Sequence, residues 1–408
     1  MPMLLMKKTT ILHFLPILSI ILLSLTLRSI GLESKSVWYD EAASWNVATK
    51  SISIIWADRT FPPFYHLLLH FWLRIGKTEF ILRLPSVFFG VLSVAAIYQL
   101  GRRICNNEIG LVSSFLLAIS PLHLHYSQEA RMYIPLMFFT LASSYFFWKA
   151  WHKDSRANWI AYITFSVLNL YTHYFAISIW LTHNLIALAW LIHLSWRNAD
   201  RNDTIPKSAI DWKRLIALNP IPCSRKSGNH HLCYWIISQL SILLLAAPCL
   251  VKLLLYHNNG MGGVMATVFG GSPDVHTPID IAIAFSLGPG VRPHLPASVR
   301  RGIYILVSLC CISGIFNTKN GDPLRSLSLS ASGMFILICL VAPITAVLGV
   351  LWCYKRAFSL RYVVAFLPFF LLIISKGISN IPKVSLKIIV VFALTSVSLF
   401  GLRLEYGH

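Results

Sequence analysis

Two adjacent acids, Asp40 and Glu41, are the residues of the chain best suited by type and spacing to do chemistry. They follow the aromatic pair Trp38-Tyr39 and belong to a set of only 15 Asp and Glu residues in 408. Neighbouring carboxylates can raise one pKa, bind a divalent cation or act as a general base. A lone acid near a membrane surface is more often a solvated loop charge. An aromatic-flanked pair that can face a third acid, Glu129, favours a catalytic centre instead.

A second polar stretch, Gln128–Arg131, follows an apolar run and offers two interpretations. Glu129 and Arg131 can form an ion pair at a helix start, which is common and weak. Alternatively, Arg131 can bind a phosphate, because its guanidinium grips such oxygens bidentately. Both interpretations stay open at the level of sequence.

A late arginine and two histidines complete the set of candidates. Arg361 opens an apolar run, where an arginine usually extends to the headgroups, yet an enzyme that uses a lipid phosphate needs a cation at that depth. Lys355 and Arg356 lie nearby in the sequence, so the assignment among the three stays open. His173 and His66 lie among aromatic residues, although a single histidine is more often structural. The candidate substrate-binding residues are Arg131, Tyr133, His66, His173, Arg361 and Tyr362.

Composition places these residues in a membrane. The chain is 56% hydrophobic and 12% charged, with a mean hydropathy of +0.65, whereas a soluble domain carries about 25% charged residues. Repeated apolar runs near membrane-spanning length indicate an all-α polytopic membrane protein. The net charge of +20 is spread between the apolar runs, as in loops beside anionic lipids. Nucleic-acid binding, which needs a basic face on a soluble fold, is excluded.

The apolar runs predict about eleven transmembrane helices in one integral membrane domain, 1–408. They lie near 10–30, 80–101, 109–124, 133–150, 157–171, 174–194, 234–256, 302–317, 331–352, 360–375 and 384–402. Two apolar pieces after the first run, Trp45–Trp56 and Tyr65–Ile75, are too short to span and predict interfacial helices. No cleavage site follows the first run, so we interpret it as a retained helix rather than a signal peptide.

Basic residues set the predicted orientation. If the N-terminus is cytoplasmic, the Lys and Arg residues near 7–8, 102–103, 149–156 and 197–226 share one side, as the positive-inside rule requires. This predicts a plasma (inner) membrane protein with a cytoplasmic loop at 195–233. The first loop, 31–79, and the Gly- and Pro-rich loop at 257–301, interpreted as a lid, are then extracytoplasmic. All the candidate polar groups fall on that outer face.

A metal site is left open by the sequence. No CxxC spacing occurs, and the spacing of Cys223, Cys233 and the histidines between them fits no common zinc site. The acids that would serve as ligands of Mg, Mn or Zn are Asp40, Glu41 and Glu129.

Several stretches resemble the family-39-type glycosyltransferases, bacterial relatives of the dolichyl-phosphate-mannose protein mannosyltransferases with a membrane-embedded fold called GT-C. The resemblance runs from about 30 to 195, with a weaker match near 355–370. The stretches that carry it are Trp38-Tyr39-Asp40-Glu41-Ala42, Pro62-Pro63-Phe64-Tyr65-His66, Leu82-Arg83-Leu84-Pro85-Ser86, Tyr126-Ser127-Gln128-Glu129-Ala130-Arg131-Met132-Tyr133, Tyr171-Thr172-His173-Tyr174 and Arg361-Tyr362.

The resemblance implies a GT-C bundle that moves one sugar, a hexose or pentose, from a polyprenyl-phosphate carrier to an acceptor glycan, lipid or protein at the extracytoplasmic face. In that family the acid at the position of Asp40 is the catalytic base, and the acids matching Glu41 and Glu129 support the site. The arginine matching Arg361 lies near the lipid phosphate, and some members use a divalent metal.

Two other classes stay open. A transporter or flippase of a lipid-linked sugar would also need a polar site beside lipid, but transporters tend to hold charges at mid-membrane and to show inverted repeats. Here the acids lie in loops and no repeat is visible. The second alternative is a non-catalytic membrane assembly subunit.

Overall fold

The computed structural model describes residues 2–58, 60–153, 155–201, 228–258, 273–274, 276–288, 294–317, 328–354 and 358–406. Within them lie sixteen helices: α1 (Pro2–Ser29), α2 (Tyr39–Ala48), α3 (Ile52–Ala57), α4 (Phe64–Trp72), α5 (Glu79–Ile104), α6 (Asn107–Ile119), α7 (Pro121–Ser127), α8 (Tyr133–His152), α9 (Arg156–Thr172), α10 (Ala176–Arg201), α11 (Gly228–Asn258), α12 (Thr277–Leu287), α13 (Ala297–Ile315), α14 (Ala331–Cys353), α15 (Leu367–Ser379) and α16 (Val384–Tyr406). Two 3-10 turns, Leu360–Tyr362 and Val364–Phe366, precede α15, and the strands β1 (Phe316–Asn317) and β2 (Ser328–Leu329) pair antiparallel.

The predicted all-α polytopic membrane fold is confirmed. Each of the eleven predicted spans coincides with a helix, with the bent pair α6–α7, or with the 3-10 turns that lead into α15. Among the described residues five helices, α5, α11, α13, α14 and α16, are long and apolar enough to cross a membrane, and the bent pair makes six. The count of eleven crossings therefore stays a prediction.

The core lies between α5, α6, α8, α9 and α15. Helix α15 is apolar and buried on nearly every face, as expected of a helix at the centre of a bundle. Helices α11 and α16 instead leave rows of leucine, isoleucine and phenylalanine exposed on one side. Such faces suit contact with lipid rather than water.

The first loop is more structured than its sequence indicates. The piece Trp45–Trp56 is not one helix but two, because α2 ends at Ala48 and α3 begins at Ile52. Asp40 and Glu41, expected in a loop, form the first turn of α2, where the partial positive charge of a helix N-terminus favours carboxylates. The Glu41 carboxylate also accepts a hydrogen bond from the Trp38 backbone N–H at 3.4 Å.

The third predicted span is broken. Pro121 begins α7 directly after α6, and the two helices meet at 61°, because a residue that precedes proline is disfavoured in the helical conformation. The side chain of Ser120 caps α7 by accepting from the His123 N–H. The fully buried Arg28 donates to the α6 carbonyls of Leu117 and Ala118, at 3.3 and 3.1 Å. This corner turns the chain toward the end of α1.

The helices of the bundle meet at two opposite ends. The site end is where α1, α7 and α9 end and α5 and α8 begin, and the far end is where α5 and α15 end and α6 and α16 begin. Most of the loop 195–233 (residues 202–227) and much of 257–301 lie outside the described residues. Within the latter, α12 packs beside α7, where Gly288 (φ +89°) abuts Pro121.

Candidate functional site

Glu41 is the most tightly held acid at the site end. Its side chain is 1% exposed and forms a two-bonded ion pair with Arg83 of α5, at 2.9 Å from Nε to Oε1 and 2.7 Å from Nη2 to Oε2. Its Oε1 also accepts the Ala130 backbone N–H at 2.8 Å. Since both oxygens are engaged, Glu41 joins the first loop, α5 and the Gln128–Arg131 stretch.

Arg83 lies at the candidate site, although it was not among the residues predicted from the sequence. Besides Glu41, its guanidinium donates to the backbone carbonyls of Leu32, Lys35 and Ser36, at 2.6, 2.8 and 3.3 Å. It therefore fixes the chain that leads from α1 into α2. An arginine inside an apolar run was the available signal, because such a cation needs a buried partner.

Asp40 reaches the distant Arg361, 321 positions along the chain. The Arg361 Nη1 pairs with Asp40 Oδ2, and its Nε donates to Ser359 Oγ at 3.0 Å. The guanidinium also lies 5.8 Å from the centre of the Trp38 ring. Both charged side chains keep partial exposure, 21% for Asp40 and 27% for Arg361, so this pair is open to a ligand while Glu41 is not.

Glu129 presents a carboxylate with one oxygen engaged. Its Oε1 lies 3.2 Å from Nε2 of His125, one helical turn earlier. Its Oε2 is buried and has no hydrogen-bond partner among the described residues. No ion pair between Glu129 and Arg131 occurs in the described part of the chain; the two residues meet instead through the Arg131 N–H and the Glu129 carbonyl, at 2.8 Å.

Arg131 lies behind the site. It is 4% exposed and donates to the Asp40 carbonyl at 3.1 Å and to Ser44 Oγ at 3.0 Å. Its guanidinium packs over the rings of Phe61 and Tyr133 at 5.3 and 5.6 Å. In this arrangement Arg131 supports the first turn of α2, and its predicted role in phosphate binding stays a prediction.

His66 and His173 are buried and neutral. Burial, with a contribution from the nearby Arg131 charge, lowers the pKa of His66 to about 4 and that of His173 to about 3. His173 Nδ1 accepts the Phe175 backbone N–H at 3.1 Å, and its ring lies 5.9 Å from that of Tyr133. The two histidines pack behind the site and do not line the cleft that opens in front of the Asp40–Arg361 pair.

The two tyrosines among the candidates also lie close to the site. Tyr133 is 2% exposed, its hydroxyl accepts a hydrogen bond from Arg131 Nη2 at 3.5 Å, and it lies near enough to Arg361 to influence that guanidinium electrostatically. Burial raises the pKa of Tyr362, whose ring meets that of Phe175 at 5.3 Å. Both tyrosines form the wall behind the Asp40–Arg361 pair.

A cleft of about 420 Å³ opens in front of these groups. That volume lies within the range of roughly 300–1,000 Å³ that is usual for small-molecule sites. It is lined by Gly31, Leu32, Lys35, Ser36, Trp38, Glu41, Arg83, His125, Tyr126, Gln128, Glu129, Ser359 and Arg361. Three of the predicted site residues, Glu41, Glu129 and Arg361, therefore share one cleft, and Asp40 adjoins it through Arg361.

The predicted metal ligands do not gather into a ligand set. Glu41 is saturated by Arg83, and one oxygen of Asp40 is bound to Arg361. Among the described residues no group of three or more His, Cys, Asp or Glu side chains is placed to hold a metal ion. We therefore derive no chemical step through a metal.

The helical bundle with this cleft at one end has the GT-C fold, the class of membrane glycosyltransferases. Similar solved structures include ArnT from Cupriavidus metallidurans bound to undecaprenyl phosphate, at 13% identity and a TM-score of 0.53, with 89% of this chain and 60% of that chain covered. The Archaeoglobus fulgidus oligosaccharyltransferase in the apo form matches at 14% identity and a TM-score of 0.55, over 96% of this chain and 55% of that one. The archaeal oligosaccharyltransferase AglB from Archaeoglobus fulgidus, in complex with an inhibitory peptide and a dolichol-phosphate, matches at 14% identity and a TM-score of 0.54, over 97% of this chain and 56% of that one.

The family resemblance drawn from the sequence is confirmed for part of the chain. Residues 60–202 match the sequence model of the dolichyl-phosphate-mannose-protein mannosyltransferase family. The chain spans about 60% or less of the length of the solved structures above. A search of curated protein sequences finds no match.

Proposed function

We propose that the chain is a membrane glycosyltransferase that moves one sugar from a polyprenyl-phosphate carrier to the hydroxyl group of an acceptor. The observation that carries the proposal is the partly exposed Asp40–Arg361 pair, which adjoins a cleft at one end of a GT-C bundle. The family match over 60–202 supports it. So do similar structures that bind undecaprenyl phosphate and dolichol-phosphate.

The chemistry needs a base and a cation. A sugar on a lipid phosphate already has a good leaving group, so the bond from the acceptor oxygen to the sugar carbon forms as the bond from that carbon to the phosphate oxygen breaks. Asp40 takes the proton of the acceptor hydroxyl, and the phosphate leaves with the bonding electron pair. Arg361 stabilises the phosphate, since a guanidinium has five N–H donors and holds a carboxylate and a phosphate together.

Glu41 acts through its neighbour. Adjacent residues in the first turn of a helix point about 100° apart, so the ion pair between Glu41 and Arg83 orients Asp40 toward the cleft. We therefore assign Glu41 the role of a positioning residue. Removing Arg83, the partner of Glu41, should therefore misdirect Asp40, although Arg83 itself makes no contact with the substrate in this proposal.

The site is proposed to face outward from the plasma (inner) membrane, with the N-terminus in the cytoplasm. The distribution of basic residues supports this orientation. So does the fact that the acids, the Gln128–Arg131 stretch, His173 and Arg361 lie at one end of the bundle. The acceptor is a glycan, a lipid or a protein with a free hydroxyl group.

The test is transfer from a labelled polyprenyl-phosphate sugar by the protein purified in detergent. Asp40→Asn should reduce turnover by about 10²–10⁴-fold, the usual contribution of a general base, with an unchanged amount of folded protein. Glu108→Gln at the far end serves as the matched control, with wild-type turnover expected. Near-normal transfer by Asp40→Asn removes Asp40 as the base. If the wild-type protein instead moves the intact lipid across liposomes and transfers no sugar, it is a flippase.

A further inference from the structure

We propose that Glu129 and His125 form the subsite for the transferred sugar, and that this sugar is neutral and presents free hydroxyl groups to the Glu129 carboxylate. The inference rests on the proposed function and goes further, because it names the class of sugar and assigns roles to His125, Tyr126 and Trp38. Three observations carry it: one oxygen of Glu129 has no partner, His125 holds the other oxygen, and two aromatic residues line the same cleft.

The unpartnered oxygen is Oε2 of Glu129. It is buried and, within the part of the chain that the structure describes, lacks any hydrogen-bond donor. Buried polar atoms are nearly always satisfied, and leaving a charged one without a donor is costly. Because Glu129 lines the cleft, a ligand in the cleft can supply the missing donor. A sugar hydroxyl is such a donor.

His125 fixes the other oxygen. It lies one turn before Glu129, lines the same cleft and places Nε2 3.2 Å from Oε1. Its side chain is one-third exposed, so the imidazole is accessible to a ligand. A carboxylate held at one oxygen offers the second in a fixed direction, which is the preorganisation that specific binding requires.

Two aromatic residues flank the same space. Trp38, 39% exposed, and Tyr126 both line the cleft. Sites for small ligands typically combine such aromatic walls with a few fixed polar groups. The Arg361 guanidinium lies 5.8 Å from the Trp38 ring. A phosphate on Arg361 therefore brings the sugar bonded to it beside Trp38.

Charge selects the class of sugar. A carboxylate accepts hydrogen bonds from hydroxyl groups and repels a second carboxylate, so an acidic sugar is rejected by unpaired like charge. Lys35 and Arg361 line the same cleft, and their positive charges repel the ammonium group of an amino sugar. We therefore assign a neutral hydroxylated sugar rather than an acidic or an amino sugar.

The experiment compares donors on one purified protein. A polyprenyl-phosphate hexose is set against its single deoxy analogues, its uronic acid counterpart and its amino counterpart. The wild-type protein should prefer the neutral hexose, and one deoxy analogue should lose about 10–100-fold in kcat/KM, the usual loss for a hydrogen bond to a charged group. Faster transfer of the uronic acid or of the amino sugar overturns the assignment.

Variants then test the residues. Glu129→Gln should raise the KM of the hexose by about 10–100-fold, yet have little effect on the sensitive deoxy analogue, because the lost bond is already absent there. His125→Ala should likewise raise the KM of the hexose and have little effect on the sensitive deoxy analogue. His125→Gln keeps a hydrogen-bond donor, so its KM for the hexose should lie between those of His125→Ala and the wild type. Trp38→Ala alters an exposed residue and should raise the KM even if Glu129→Gln folds poorly. Glu108→Gln is again the control.

The outcomes separate the two proposals. If the wild-type protein transfers no sugar, the proposed function fails and this inference fails with it. If the wild-type protein transfers sugar but Glu129→Gln and His125→Ala affect all deoxy donors equally, the glycosyltransferase stands and the subsite is wrong.

Discussion

Both ends of the bundle bury a cation, but they neutralise it differently. At the far end Lys376 is 5% exposed and donates to two neutral partners, the Gly314 carbonyl at 2.7 Å and Ser330 Oγ at 2.6 Å. At the site end Arg83 pairs with the carboxylate of Glu41. Helices α13 and α15 touch backbone to backbone beside Lys376, whereas a cleft opens beside Arg83.

The difference shows what each end is built for. A lysine held by carbonyl and hydroxyl oxygens closes the packing of neighbouring helices and leaves no acid free to react. At the site end, three carboxylates lie beside basic side chains: Glu41 is engaged through both oxygens, whereas Asp40 and Glu129 are each engaged through one. On the proposed function, this gradation distinguishes Glu41, which supports the site, from Asp40 and Glu129, which are able to meet a ligand.

The largest expected change comes from breaking the buried pair at the site end. Arg83→Met should lower the free energy of unfolding by about 3–5 kcal/mol, because it leaves the Glu41 charge buried and unpaired. The measurement is thermal or chemical unfolding of the protein in detergent. The double variant Arg83→Met with Glu41→Met should recover much of that stability and still fail to transfer sugar. Full activity in the double variant would contradict the positioning role of Glu41.

A substitution in the closely packed far end should lower stability less than Arg83→Met does, and it should leave activity unchanged. A Cβ added at Gly377 would lie 1.9 Å from the Cys310 carbonyl oxygen, so Gly377→Ala should cost about 1–3 kcal/mol through overpacking. The folded fraction should keep wild-type kcat. Gly349→Ala in α14, where nothing lies within 4 Å of an added Cβ, is the matched control and should unfold at the wild-type temperature or above. Equal losses at both glycines would refute the contact.

The smallest change is expected at the exposed ion pair of the far end. Lys387 Nζ lies 2.9 Å from Glu108 Oε1, with side chains 23% and 46% exposed. Pairs of this kind contribute about 0.2–1 kcal/mol and are screened by salt. Lys387→Gln should therefore shift unfolding only slightly, and the shift should shrink further in high salt. A loss as large as that of Arg83→Met would remove the distinction between the two ends.

The sequence was sufficient to predict the positions of the helices, because a long apolar run indicates a helix of membrane-spanning length. The last span, predicted at 384–402, begins where α16 begins. The bend at Pro121 was not predicted, because hydropathy stays high across the whole run 109–124 and into α7. The proline itself was the signal that hydropathy does not register.

The pairing of charges was the part that sequence could not supply. Hydropathy brings Asp40 and Arg361 to one face without saying that they touch, since a contact over 321 positions depends on how the whole bundle packs. The same holds for Arg83, whose burial against Glu41 divides the roles of two adjacent acids. Glu129, a candidate from the sequence, shares the cleft with Glu41. His125 lines the same cleft, but the sequence carried no signal for it beyond its being one of 15 histidines.

The long reach of the Asp40–Arg361 pair has a consequence for biosynthesis. When the segment 60–202 has left the ribosome, Glu41 already has Arg83, but Asp40 still lacks its partner. The final third of the chain must insert before Asp40 meets Arg361. On the proposed function, a nascent or truncated chain that lacks Arg361 cannot yet hold the lipid phosphate, so the ability to transfer sugar is acquired last.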